Sequence, residues 1–508
     1  MPERQAAFFW IEVGRALVAR RKTRDKGVHV LLHAEQVAPD RVRTDVFVRE
    51  TVAGLLGRPG ATSGVVGYAA WPGGWGSPPA GEPGPGMHRR SSRGSIGNEE
   101  DGEDGMEERT LGDRVREVRG WRQLSVRQAA GLAGLSSSVW GQVERGERPV
   151  GNRRILEAMA RTLRVHPTDL TGQPWAPPDV VSSEAHAGLI GMETGLERYD
   201  LGVDPEIPVR DWPSISNDLD NLAKLMHWSA DYAAQGELTP ALLGELHGAY
   251  VRLPQYRREV LLGLITALSS VVWTTKRLGV RGVPSLAARN VRRCAEELED
   301  PVWLGYAAYL RGDATGGLDR AAQYHRSVSA AQALTGSLDS SDVVQTCGML
   351  HLSAALAAAV QADPDTAATH LEEASALAAR MDTEVGSWAH LWFGVVNVGI
   401  WRTSLAVELG EHAQALETAK VVHPELVPGT SRQAEFWAEV GRALVASKRT
   451  REKGLRVLLH AEQLAPQRIR HDVFVREAIA DLLRQARREA GGRELRGLAG
   501  RLGVNPTG

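Results

Sequence analysis

The sequence predicts an all-α protein in which a small helical domain precedes a long array of paired helices. From residue 211 onward, apolar residues recur at i, i+3, i+4 and i+7 in segments that proline or glycine separates, with almost no strand-like alternation. Several short helical patterns also crowd into residues 109–172. Three later segments, which begin at Thr346, Asn397 and Ala434, repeat a plan of helix, polar break and second helix at a spacing of roughly 40 residues.

Length and charge limit the classes of protein that fit. A chain of 508 residues is too long for one core, and about 150 residues per domain suggests roughly three units. With 60 basic and 62 acidic residues, the whole chain has no bulk attraction for polyanions, so a nucleic-acid contact must come from a local patch. Such a patch exists, since residues 107–172 contain roughly 12 arginines against about 8 acidic residues.

Cysteine content and hydropathy predict a cytoplasmic protein. Cys294 and Cys347 are the two cysteines of the chain, and their separation gives neither a disulfide framework nor a metal cluster. We therefore expect no metal site and no cofactor. No uninterrupted apolar run reaches about 18 residues, and the N-terminus lacks the order of segments of a signal peptide.

The chain begins with a partial copy of its own C-terminal helices, residues 1–56. Without gaps, residues 7–56 match residues 434–483 at about 35 of 50 positions. Residues 57–108 are rich in glycine, proline and serine and end in an acidic run, so they are predicted to be a disordered linker. Two explanations remain open: residues 1–105 are the tail of an upstream paralogue with native synthesis starting at Met106, or they are a long N-terminal extension.

Residues 124–146 have the pattern of a helix-turn-helix within the domain predicted for residues 109–172. Gly134 separates two short helical patterns and can adopt the positive φ of the turn. Ser125 and Ser136 are predicted N-caps of the two helices, and Gly146 is expected to end the second one. Trp140 and Val143 are predicted to lie in the core, while the outer face of the second helix is predicted to present Ser137, Ser138, Gly141, Gln142 and Arg145.

This segment, with the Glu-Arg-Gly at residues 144–146, resembles the Cro/phage-repressor (XRE) family of helix-turn-helix proteins over residues 110–170. The resemblance implies a five-helix domain that binds double-stranded operator DNA. Val126 replaces the glutamine that usually opens the second helix of the family. The residues predicted to contact DNA are Arg127, Gln128, Ser136, Ser137, Ser138, Gln142, Arg145 and Arg148. Gln142 is expected to read adenine, and the arginines to hold phosphates.

After a predicted linker over residues 173–212, residues 213–508 are predicted to form the helical array. Their alanine-rich helix pairs and the C-terminal segment resemble actinobacterial XRE regulators with a C-terminal tetratricopeptide-like domain. The resemblance implies a superhelical array that dimerises or senses a ligand. The predicted ligand-binding residues are Asn397, Trp401, Arg402 and Trp392, with Asn397 expected to pair with a peptide backbone. The alternative is that the tryptophans belong to the core and that Asn397 bonds a neighbouring helix end.

The sequence therefore predicts a transcription regulator that binds an operator as a homodimer, with a peptide or small-molecule effector. A single helix-turn-helix buries too little surface for useful specificity, which favours a dimer on two half-sites. The alternative is a protein-interaction scaffold of the tetratricopeptide type with secondary DNA binding. An enzyme is not expected, since the sequence lacks Walker, HExxH and GxSxG motifs, and neither is a membrane partner.

Overall fold

The computed structural model describes residues 109–175, 179–315, 317–486 and 492–504 and, nearer the N-terminus, residues 24–37 with positions 10, 11, 13, 17, 18, 42, 48 and 51. The chain divides into two units, residues 1–103 and 104–508, which are treated separately. All regular secondary structure in the described parts is helical, which confirms the all-α prediction. The predicted linker over residues 57–108 lies outside the described residues.

The first unit contains helix α1, Arg24–Val37. Its bounds match, position for position in the duplicated segments, those of helix Arg451–Leu464 in the C-terminal copy. The seven buried apolar residues of the first unit align with positions that lie in or against one core cluster of the C-terminal copy. These seven are Ile11, Val18, Val28, Leu31, Ala34, Val42 and Val48. Among the described residues, five of these seven positions are buried in both copies, and the other two, Val445 and Leu455 in the C-terminal copy, are half-buried there.

The second unit begins with five short helices that form a small domain. They are α2 (Leu111–Trp121), α3 (Val126–Leu132), α4 (Ser137–Glu144), α5 (Arg153–Leu163) and α6 (Pro167–Thr171). Their core consists of the apolar residues that the periodicity predicts, including Val115, Trp140 and Met159, each fully buried. Arg164 ends α5 in the left-handed conformation, and Gly172 does the same for α6, so tight turns keep the domain small.

Sixteen further helices follow in the described residues of the second unit. They are α7 (Val180–Arg198), α8 (Trp212–Lys224), α9 (Tyr232–Arg252), α10 (Arg257–Arg277), α11 (Val283–Glu297), α12 (Pro301–Thr315), α13 (Arg320–Leu334), α14 (Ser341–Val360), α15 (Pro364–Ala378), α16 (Val395–Leu409), α17 (His412–Ala419), α18 (Thr430–Val445), α19 (Arg451–Leu464), α20 (Pro466–Arg470), α21 (Val473–Ala486) and α22 (Arg493–Arg501). Most of these helices pack on the next one, whereas α7 packs mainly on α9, and α12, α14, α16 and α18 also contact one another in turn. This is the packing predicted for an α-α superhelical array.

The segment predicted as a linker, residues 173–212, differs from that expectation because it contains α7. Buried Ala185, Met192 and Leu196 lie along one side of α7. This helix approaches α9 closely where two glycines meet, and a Cβ at Gly236 would lie 2.9 Å from the Cα of Gly188. The polar, glycine-containing sequence of α7 therefore serves close helix packing rather than flexibility.

The array closes on itself, because its late helices contact its early ones. Gln467 at the start of α20 accepts hydrogen bonds from the backbone N–H groups of Tyr232 and Ala233, at 2.8 and 3.1 Å. Its Nε2 donates to Asp231 at 2.7 Å, which secures the N-terminus of α9. Thr430 at the start of α18 donates to the carbonyl of Trp228. Late and early helices of the array are therefore held together by these hydrogen bonds.

Two helical stretches of the array, residues 254–277 and 341–360, are long and apolar enough to cross a membrane by length and composition. In the structure, 72% and 89% of their most apolar windows are buried. Both stretches contribute to the largest core cluster, for example through Leu264 and Leu350. Both stretches are therefore core helices of the array. Buried core helices often have the length and apolar composition of a membrane-spanning helix.

Candidate functional site

The helix-turn-helix forms as its local sequence predicts. Ser125 caps α3 and exchanges hydrogen bonds with Gln128, and Ser136 caps α4 by accepting from the N–H of Val139. Gly134 has φ of +65° in the turn between the two helices, and Gly146 has φ of +66° after α4. The predicted caps, turn and stop are therefore confirmed.

The buried carboxylate of Glu144, in the Glu-Arg-Gly segment, holds α4 on α2. Glu144 accepts from Nε1 of Trp140 at 2.6 Å and from Nε and Nη2 of Arg119 at 2.5 and 2.9 Å. Arg119 also donates to the carbonyl of Leu124 at 2.8 Å, so one guanidinium joins three parts of the motif. The hydrogen bond to Glu144 raises the pKa of Arg119. Glu144 thus fixes the orientation of α4 relative to α2.

Gly112 lets α2 and α4 approach each other closely. A Cβ at this position would collide with the backbone carbonyl of Val143 in the last turn of α4. Gly120, at the other end of α2, has no atom within 4 Å of its Cβ position. The position of α4 therefore depends on Gly112 of α2. The sequence pattern around this glycine does not predict that another helix packs against it.

The outer face of α4, which is predicted to contact DNA, is partly exposed. Ser137 and Ser138 are exposed, and Gln142 lies one turn after Ser138 and is half-buried. The predicted exposure of Gly141 is wrong, because this residue is buried. A Cβ at Gly141 would lie 3.0 Å from Nη1 of Arg145, whose guanidinium covers the position.

The predicted phosphate contacts lie beside this face. Arg127 on α3 is exposed, and so is Arg148 after α4. Arg145 is exposed as well, but its Nε and Nη2 donate to the two carboxylate oxygens of Glu147, both at 2.8 Å. This hydrogen bond raises the pKa of Arg145. The side chain of Gln128 accepts from the N–H of Ser125 at 2.9 Å, so its carboxamide oxygen is used by the cap.

The small domain is joined to the array by polar contacts of α5. Its Glu157 pairs with Arg320 on α13, and Arg153 pairs with Glu408 on α16. Just before α5, the carbonyl of Gly151 accepts from Nη2 of Arg442 at 2.5 Å.

One aromatic side chain of the array completes the core of the small domain. Phe474 on α21 belongs to the cluster that contains Trp140 and Leu163, and the guanidinium of Arg442 lies 4.8 Å from its ring centroid. Sequence reasoning missed this residue, although the segment Asp-Val-Phe-Val-Arg-Glu around it recurs in the N-terminal copy.

A cavity of about 380 Å³ lies between α5 and the concave side of the array. Three of the four predicted ligand-binding residues, Trp392, Asn397 and Trp401, line it. Arg402 does not; its guanidinium donates on the outer side to Glu372 at 3.2 Å and to Oγ of Ser375 at 3.0 Å. It follows Trp401 on the same helix and therefore projects to a different side.

Asn397 lies in the first turn of α16 rather than in mid-helix, and both ends of its carboxamide are used internally. Its Nδ2 donates to the carbonyl of Leu391 at 3.0 Å, and its Oδ1 accepts from Nε of Arg432 at 2.9 Å. The side chain is 1% exposed. This geometry matches the alternative of an asparagine that bonds neighbouring backbone, and it leaves Arg432 as the polar group that Asn397 orients.

No group of three or more histidine, cysteine, aspartate or glutamate side chains in the described parts of the chain has the geometry of a metal site. Cys294 and Cys347 are buried and unpaired with each other, and burial raises the pKa of Cys294 to about 12. These thiols lie in the apolar core of the array.

Comparison with known proteins addresses the small domain. No curated protein and no solved structure matches the chain significantly. Residues 110–171, which span α2 to α6, match a family described as a helix-turn-helix domain. The chain therefore carries a helix-turn-helix, and this domain indicates a DNA-binding protein with a role in regulating transcription.

Proposed function

We propose that the protein is a sequence-specific transcription regulator of the XRE type, cytoplasmic and associated with the nucleoid when bound to DNA. The observation that carries the proposal is the exposed outer face of α4 within the segment that matches helix-turn-helix domains. A helix with short polar side chains on that face fits the major groove, where base edges differ in their donors and acceptors.

Within this proposal, each predicted DNA contact has a role that its surroundings support. Gln142 and the exposed Ser137 and Ser138 face base edges, while Arg127 and Arg148 bind phosphates. Arg145 binds phosphate after exchanging its contact with Glu147. Ser136 and Gln128 act through the helix caps that they form, because a capped N-terminus presents α4 in one orientation.

The regulator is proposed to act as a homodimer, with residues 109–172 as its DNA-binding domain and residues 213–508 as a tetratricopeptide-like array. One short recognition helix covers too few base pairs for selectivity at cellular salt, and a symmetric dimer reads two half-sites about one helical turn apart. The contacts of α5 with α13 and α16 support a role of the array in orienting the small domain.

The experiment that tests this function is selection of genomic DNA fragments by the purified full-length protein, followed by sequencing. We expect enrichment of a motif with two related half-sites, and light scattering should give the mass of a dimer on such a fragment. Recovery of fragments without a common motif would contradict sequence-specific regulation. It would favour the second candidate, an interaction scaffold with secondary DNA binding.

A further inference from the structure

The cavity between α5 and the array contains an unusual concentration of guanidinium groups around one carboxylate. Glu435 on α18 accepts from Nη1 of Arg432 at 2.7 Å and from Nη2 of Arg277 at 3.3 Å, and it also pairs with Arg468. Three arginines thus share a single carboxylate. The other basic residues that line the cavity have one acidic partner each, such as Lys276 with Asp313 at 2.5 Å.

Nearby acidic groups do not remove this imbalance. Seven basic side chains line the cavity against five carboxylates. Among these, Asp472 accepts hydrogen bonds from the N–H groups of Phe474 and Val475 at the start of α21. Even when Glu408 behind the wall is counted as the partner of Arg153, the lining carries an excess of positive charge. Burying a cation without a counter-charge is costly, so the cavity favours an anion.

Several hydrogen-bond donors around this cluster have no protein partner. Nη2 of Arg432, Nη1 of Arg468 and Nε1 of Trp401 are buried and unbonded, and Arg468 has a side chain only 6% exposed. All three atoms are donors, and none can accept. Burial lowers the pKa of Arg432 and of Arg468 to about 10, which agrees with positive charge that the protein alone does not compensate.

Aromatic side chains form another part of the lining. The guanidinium of Arg432 lies 5.3 Å from the ring centroid of Trp401, and Trp273 packs edge-on against His227 at 5.3 Å. Trp392 and Tyr309 extend the aromatic surface. A volume of about 380 Å³ is within the range of small-molecule sites. These walls suit an unsaturated, planar molecular body.

We propose that this cavity binds a small molecule with one carboxylate or phosphate group on a planar unsaturated body, whose oxyanion accepts from Arg432, Arg468 and Trp401. Because Arg153, Leu156 and Glu157 of α5 form part of the same lining, occupancy changes the contacts that position the small domain. This regulatory consequence rests on the proposed DNA-binding function, whereas the binding site itself does not.

Calorimetric titration of the full chain tests the site with five probes: phenyl phosphate, benzoate, inorganic phosphate, phenol and a short alanine peptide. We expect phenyl phosphate or benzoate to bind at least tenfold more tightly than phenol, and the stronger of the two identifies the oxyanion. Equal binding of phenol, or no binding of any probe at millimolar concentration, would overturn the proposal. Binding of a short alanine peptide in place of these anions would overturn it as well.

Two variants and one control locate the site. Arg432→Gln should weaken binding of the preferred probe at least tenfold. Trp401→Phe should weaken it several-fold, because it removes the indole N–H and part of the aromatic surface while keeping an aromatic ring. Arg402→Gln is the matched control, because Arg402 adjoins Trp401 in sequence but projects to the outer side of α16. Circular dichroism checks that each variant is folded. Unchanged affinity in folded Trp401→Phe and Arg432→Gln would exclude this cavity as the site.

The regulatory part is tested separately by titrating a selected DNA fragment with and without saturating probe. We expect at least a threefold change in DNA affinity for the parent protein and none for Arg432→Gln. If the probe binds but no DNA fragment does, the proposed function fails and the site stands. If DNA binds equally with and without a bound probe, the site stands and its link to the small domain is refuted.

Discussion

Arg320 and Glu157 form a two-point ion pair between the array and the small domain. The Nε–Oε2 and Nη2–Oε1 distances are 3.0 and 2.6 Å, and the two side chains are 9% and 7% exposed. Nη1 of Arg320 also donates to Gln323 at 2.6 Å, so the guanidinium is held on its own helix while it reaches α5. Bidentate geometry of this kind fixes orientation as well as distance.

Removal of one partner is expected to cost more than removal of both. Glu157→Gln leaves the guanidinium of Arg320 buried without a counter-charge, and we expect a loss of about 3–5 kcal/mol in the free energy of unfolding. The double variant Glu157→Leu/Arg320→Met should lose less than Glu157→Gln alone. Denaturant unfolding of all variants measures this difference, and additive losses would contradict a direct coupling.

Gly112→Ala tests the close approach of α2 and α4. The added methyl group meets the carbonyl of Val143, so we expect a loss of about 1–3 kcal/mol in stability and weaker DNA binding through a displaced α4. Gly120→Ala is the control on the same helix, where the open position predicts a neutral or slightly stabilising effect. Thermal unfolding and fluorescence anisotropy measure the two quantities. Equal behaviour of the two variants would refute the contact.

Gln142 and Arg145 are expected to differ in what they contribute to DNA binding. Gln142→Ala should cost about 1–3 kcal/mol on the preferred site and relax preference at one base pair. Arg145→Ala should weaken binding to all sequences and reduce the dependence of affinity on salt. Affinity measured on matched and mutated sites across several salt concentrations separates the two.

The ion pair of Arg145 gives a further expectation. Because the carboxylate of Glu147 accepts two hydrogen bonds from this guanidinium, it competes with a DNA phosphate for the same donors. Glu147→Gln should therefore strengthen binding to specific and non-specific DNA alike and make the salt dependence steeper. Tighter binding to one sequence only would show that residue 147 acts on base reading instead.

The stability of the second unit is expected to fall as pH decreases from about 6.5 toward 4. Burial lowers the pKa of His471 to about 4, while its Nδ1 bonds the carbonyl of Gln467 at 2.8 Å. With an unfolded pKa of about 6.5, the unfolded chain binds the proton first in this interval, so stability is lost as pH falls. The contribution of this one group is at most ~3 kcal/mol.

His471→Asn should flatten that pH dependence, since asparagine retains a donor for the carbonyl of Gln467 without titrating. His325→Asn is a control at an exposed position. Denaturant midpoints between pH 4.5 and 7.5 provide the measurement. An unchanged slope in His471→Asn would assign the acid sensitivity to the other buried histidines of the array, such as His227.

The sequence predicted those features of the small domain that depend on residues close together in the chain. Caps at Ser125 and Ser136, the turn at Gly134 and the inward positions of α2 and α5 follow from backbone hydrogen bonding and helical periodicity, which neighbours in sequence determine. Gly141 was misplaced because its burial results from the side chain of Arg145, which periodicity alone does not register.

The sequence did not predict which side chains on distant helices pair with each other. In the sequence, Glu157 and Arg320 each look like a solvent-exposed charge on an amphipathic helix. Their pairing is visible only in the three-dimensional structure. The aromatic residues of the predicted ligand site do share one cavity, but its charge comes from Arg432, Arg468 and Glu435, which lie in the duplicated C-terminal region and its approach. The periodicity of apolar residues identifies the face of a helix that is buried. It does not identify the distant helix that packs over a charged residue.

The position of Phe474 has a consequence for synthesis of the chain. The helices of the small domain leave the ribosome hundreds of residues before Phe474, whose ring packs against their core, is translated. An incomplete chain therefore holds a helix-turn-helix with an open core, and we expect it to read DNA poorly until α21 arrives. Under the proposed DNA-binding function, we therefore expect truncated products to compete poorly for the sites of the intact protein.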